Sequence, residues 1–116
     1  MRFLMQIFQG EALEAWARLS EEEQHGIAAD YAALNEIPGV TSGEWLAQPD
    51  AATTVRVQDG ATVTTDGPFA ETKEALGGYF MFEGESLEDA IAVAAKVPAL
   101  RFGGAVEVRP LVEYSG

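Results

Sequence analysis

A chain of 116 residues is long enough to bury one hydrophobic core and too short for two ordinary ones, so a single domain is expected over residues 1–116. Seven Lys and Arg against nineteen Asp and Glu leave a net charge of -12, with no basic run, so nucleic acid and anionic membrane surfaces are repelled over most of the molecule. The chain has no cysteine, which excludes disulfides, thiolate zinc sites and a cysteine nucleophile, and its 47% apolar content argues against disorder.

The first ten residues enter a strand pattern without a basic leader or a cleavage site, and no stretch approaches the roughly 18 apolar residues of a spanning helix. The expectation is a cytoplasmic protein. From Arg2 to Gln9 one face carries Phe3, Met5 and Ile7 and the other Leu4 and Phe8, the pattern of a central strand. Gly10 ends it, and residues 11–19 make a short helix expected to bury Leu13 and Trp16.

Ser20 followed by Glu23 forms a capping box and opens the main helix, whose stripe of Ile27, Tyr31 and Leu34 runs to the stop at Pro38-Gly39. Ala28, Ala29, Ala32 and Ala33 would let a neighbour approach its other faces. A second strand is predicted over residues 41–48. Residues 53–58 and 61–65 flank Asp59-Gly60 and read as a hairpin, because that dipeptide accepts the positive φ angles of a two-residue turn. Alternation of Val55, Val57 and Val63 with Thr and Arg implies one wet face.

Residues 77–83 hold Tyr79, Phe80, Met81 and Phe82 in succession, again a strand apolar on both faces. Ser86 with Asp89 caps a further helix with Leu87, Ala90, Ile91 and Ala94 facing inward, ended by Pro98. The last strand spans residues 105–112, with Pro110 favouring an edge. The order is a βαββαβ plan of the α+β class, with the 53–65 hairpin inserted and two helices on one sheet face. The bare face of such a sheet, apolar at residues 3–8 and 79–82, is expected to pack on a second copy as a homodimer.

Between hairpin and third core strand lies Asp66-Gly67-Pro68-Phe69-Ala70-Glu71-Thr72-Lys73-Glu74, dense in charge for a plain connection. This stretch resembles the signature of the DGPF-domain branch of the YCII-related family, and the likeness extends through Gly77-Gly78, Val97-Pro98 and residues 106–110. The resemblance implies a ferredoxin-like, dimeric α/β-barrel type of domain. In the wider family a histidine on the main helix and an aspartate just before a proline form a proposed catalytic dyad. His25 stands where that histidine is expected, but Val97 precedes Pro98, so the implied dyad is broken. Some members of the branch resemble modules encoded beside extracytoplasmic-function sigma factors, which makes such a factor the alternative partner.

The residues themselves suggest a cleft beside the 66–75 loop. Asp66, at a strand end, would serve as general base or ligand acceptor, or alternatively cap an Asx turn. Gly67 and Pro68 set the shape of the loop, Glu71 and Lys73 would hold a small polar ligand, and Phe69 and Leu76 need burial and so tether it. Their alternative is a solvated loop with a surface ion pair. His25 is a catalytic candidate by family position, although periodicity turns it away from the helix's apolar stripe. Arg101 would clamp an anion or else make a surface salt bridge. With one histidine, a metal is not expected, and no cofactor motif occurs, since Gly77-Gly78 and Gly103-Gly104 precede strands rather than helices.

Overall fold

Alternation along Arg2–Phe8 (β1) and Leu76–Glu83 (β5) decides the architecture. In the computed structural model, which describes residues 1–68 and 76–113, these two strands pair antiparallel at the centre of a four-stranded sheet. Ala105–Pro110 (β6) borders β1 and Val40–Trp45 (β2) borders β5, so the order is β2-β5-β1-β6. Pro110 lies at the end of an edge strand, where its missing N–H costs no ladder bond.

The register places Phe3 opposite Phe82 and Met5 between Phe80 and Val108. Their side chains therefore share one face, and the Phe3 and Phe82 rings stack at 6.4 Å. Two helices cover this face: α2 (Glu21–Asn35) contributes Leu34, and α3 (Leu87–Ala94) contributes Ala90, Val93 and Ala94. A 3-10 turn over Pro98–Phe102 adds Ala99. A short helix, α1 (Ala12–Arg18), packs against that turn. Strand order and the one-sided helical layer are compatible with a ferredoxin-like α+β fold.

Helix starts follow their local chemistry. Ser20 Oγ accepts from the Glu23 amide at 3.1 Å while the Ser20 amide donates to Glu23 Oε1 at 3.3 Å, a complete capping box. Ser86 Oγ likewise accepts from the Asp89 amide. Three expectations about faces are corrected. In α3 Ala90 and Ala94 are buried as expected, but Val93 and then Val97 complete the stripe in place of Leu87 and Ile91, which are exposed, so the helix is rotated from the expected face. Trp16 is 39% exposed, because the two-turn α1 meets the 3-10 turn rather than the sheet. Ala29, Ala32 and Ala33 face solvent. The side chain of Leu13 and all of Phe69 lie outside the described residues, and with them the expectation of their burial.

Thr53–Gln58 (β3) and Ala61–Asp66 (β4) form a separate two-stranded sheet joined by Asp59 and Gly60, with φ of 50° and 78°. Arg56 pairs with Val63 and Val55 with Thr64, so Val63 lies on the face opposite Val55 and Val57, and both faces are wet in the single chain. With the hairpin standing apart, the chain measures 50 × 45 × 18 Å, and its radius of gyration is 16.5 Å. A compact 100-residue domain has about 13 Å. No helix among the described residues is long and apolar enough to cross a membrane.

The sheet face away from the helices carries Leu4 opposite Met81 and Gln6 opposite Tyr79. Leu4, Phe8 and Met81 are half-buried and Tyr79 is exposed. Gln6 Oε1 is buried there without a hydrogen-bond partner among the described residues.

Candidate functional site

At the end of the sheet where β1 leaves and β2 finishes, the described residues build a cavity. Gln9 follows β1, and its carbonyl accepts from the Ala12 amide at 2.8 Å, starting α1. From α1 come Ala12 and Trp16; the Trp16 carbonyl accepts from Gln24 Nε2 at 2.8 Å, which ties α1 to α2. Ile27, Ala28 and Tyr31 line the cavity from α2, Trp45 from the end of β2, and Pro98, Ala99 and Phe102 from the 3-10 turn. The volume is about 350 Å³, at the lower end of the range for small-ligand pockets. Tyr31 and Trp45 meet edge to face at 4.8 Å and separate it from a smaller cavity of about 70 Å³ that Asn35, Ser42 and Glu44 help to line.

Two adjacent glycines make room for this wall. A Cβ on Gly78 would stand 2.7 Å from the Trp45 indole, and one on Gly77 would stand 2.3 Å from the Gln9 side chain. Any larger residue at either position displaces a lining side chain, which gives Gly77-Gly78 a role the sequence left unassigned.

The electrostatics are simple. No charged side chain among the described residues lines the larger cavity. Burial raises the Tyr31 phenol above its ordinary 10.0, a shift opposed by a backbone hydrogen bond from Ala99 and by the Arg101 charge, so the group stays a neutral hydroxyl. Arg101 itself is held by Asp30 at 2.7 Å. Half-exposed, that pair contributes about 0–1 kcal/mol. Among the described residues the walls thus offer aromatic surface, one hydroxyl and one carboxamide, an inventory suited to binding, with no charged acid or base.

The residues singled out from sequence are placed elsewhere. Asp66, Gly67 and Pro68 stand together at the base of the hairpin, where the Gly67 amide donates to the Ala52 carbonyl and Thr54 Oγ1 donates to the Gly67 carbonyl, both at 2.7 Å. Gly67 has φ of 98°, a conformation that favours glycine. Among the described residues the Asp66 carboxylate has no hydrogen-bond partner; the amides beyond Pro68, which an Asx turn would engage, lie outside them. His25 is exposed on α2, and neither it, Asp66 nor Arg101 lines the aromatic cavity. Glu71 and Lys73 lie outside the described residues. Among the described residues no cluster of three or more His, Asp or Glu is placed to hold a metal.

Sequence reasoning missed Gln9, Trp16, Tyr31, Trp45 and Phe102 as one site. A signal existed: both tryptophans sit at the ends of short elements, where a large ring meets a boundary rather than a core.

A four-stranded antiparallel sheet with helices on one face and an aromatic cavity at its end defines an α+β domain with a ligand-sized recess. The chain belongs to the YCII-related domain family, whose model matches residues 1–115. An uncharacterized protein of Rhizobium meliloti (strain 1021) is 37% identical over 106 residues, covering 86% of this chain and 82% of the relative. Where the family resemblance calls for an aspartate before a proline, Val97 is packed in the core.

Proposed function

We propose that this protein binds a small molecule in the aromatic cavity between α1, α2, the end of β2 and the 98–102 turn. The observation that supports the reading is convergence: both tryptophans of the chain, with Tyr31 and Phe102, line one recess of ligand size with few polar groups. A panel of small molecules followed by thermal shift tests it, because a ligand that binds only the folded state raises the midpoint. Ala28→Trp, at an exposed lining position, fills the recess and abolishes the shift.

A second reading, a small polar ligand beside residues 66–75, is favoured by the exposed Asp66 carboxylate at the end of β4. In that case Asp66→Ala removes the shift and Ala28→Trp leaves it.

We further infer that the protein is a homodimer through the open sheet face. Leu4, Phe8 and Met81 supply apolar surface on the face that the helices leave uncovered. Sedimentation at micromolar concentration gives a dimer, and Met81→Glu gives a monomer; a wild-type monomer overturns the assembly.

A further inference from the structure

We infer that the ligand of the aromatic cavity is an uncharged, flat aromatic molecule carrying a hydrogen-bond acceptor, with the acceptor on the Tyr31 hydroxyl. The inference rests on the small-molecule reading given above and names the class of ligand.

Charge is decided by the described walls. An anion would meet no Lys or Arg among the described lining residues, in a chain of net charge -12, while the neighbouring Arg101 is already engaged by Asp30. A cation would find ring faces but no carboxylate among the described lining residues, and the positive charge of Arg101 reaches Tyr31 from outside. A neutral molecule leaves no buried charge uncompensated.

Shape follows from the pattern of large and small walls. Ala12, Ala28 and Ala99 leave a gap between two helices and a turn, and rings border it. The Tyr31 and Trp45 rings already meet at 89°, so a further ring can join them by edge or offset contact, which an aliphatic body cannot reproduce. The volume of about 350 Å³ suits one ring or a small fused pair. The acceptor follows from valence: Tyr31 lines the recess and its hydroxyl donates no hydrogen bond among the described residues, so its hydrogen is available to a ligand.

The test uses the two indole N–H resonances of the full-length protein, since Trp16 and Trp45 are the chain's two tryptophans and both line the cavity. The probes are benzamide, benzoate, benzylammonium, cyclohexanecarboxamide and toluene. Benzamide shifts both resonances and binds tightest, and Tyr31→Phe weakens it roughly three- to tenfold toward the toluene value, the loss of one neutral hydrogen bond. Tighter binding of benzoate, benzylammonium or cyclohexanecarboxamide overturns the ligand class and leaves the site standing. If no probe moves either indole, the site itself falls, and the proposed function with it. Should Tyr31→Phe fail to fold, the ranking of the probes on the wild-type protein still decides.

Discussion

The β1–β5 pair and the β3–β4 hairpin are both regular antiparallel pairings with apolar residues at every second position, yet one is buried and the other is bare. Phe3, Met5 and Ile7 vanish beneath two helices, whereas Val55 and Val57, equally regular, stand 61% and 70% exposed. Alternation specifies an extended strand and its pairing; burial is settled by whether a second layer of the fold arrives to cover the face. The hairpin has a good turn and matched partners but no layer of its own, and an isolated two-stranded ribbon is marginal in water.

The comparison breaks first at Phe3. Fully buried and stacked on Phe82, it is expected to cost about 3–5 kcal/mol on replacement by alanine, read by chemical denaturation. A loss below about 1 kcal/mol would mean that the core is elsewhere. Next comes Gly60→Ala, which places a side chain at φ of 78° in the hairpin turn. It should cost the hairpin about 1–2 kcal/mol, seen as faster amide exchange over residues 53–66 with protection of β1 and β5 unchanged. Exchange that rises in both regions would show them to unfold as one unit. Smaller still is Val57→Ala, expected within about 0.5 kcal/mol. A larger loss that depends on protein concentration would reveal that the assembled protein covers the hairpin.

The smallest expected effect is the shape of a pH curve, and it contrasts the covered and open sides of the sheet. The folded-state pKa of Tyr31 is raised, mainly by burial. At a pH above its ordinary 10.0 the unfolded chain ionises first, so stability present below that pH declines as pH rises through the folded-state value. Phenolate absorbance of the wild type against Tyr31→Phe measures the late-titrating group. A phenol titrating at or below its ordinary value would place the ring in water.

What the sequence made legible was local. Ser20 with Glu23, Ser86 with Asp89 and the Asp59-Gly60 turn each carry their geometry within four residues, and the two-sided apolarity of residues 3–8 and 79–82 was enough to put both strands at the sheet's centre. The rest depends on packing. Which side of α3 turns inward is set by its neighbours on the sheet, so an equally apolar stripe through Leu87 and Ile91 was the wrong one. The aromatic site is assembled from β1, α1, α2, β2 and the 98–102 turn, and no single window holds more than a fragment of it. Gly67 was legible because a positive φ needs glycine; the choice of the Ala52 carbonyl by its amide was not, since that partner comes from the turn before β3.

The 18 Å thickness of the chain has a hydrodynamic consequence. A lone slab of these proportions tumbles as a disc, with rotational diffusion that differs between its long and short axes. Two slabs stacked on their open faces double the short axis and tumble almost isotropically. The orientation dependence of backbone nuclear relaxation therefore reports the stacking of the sheets by symmetry of motion alone, without reference to mass.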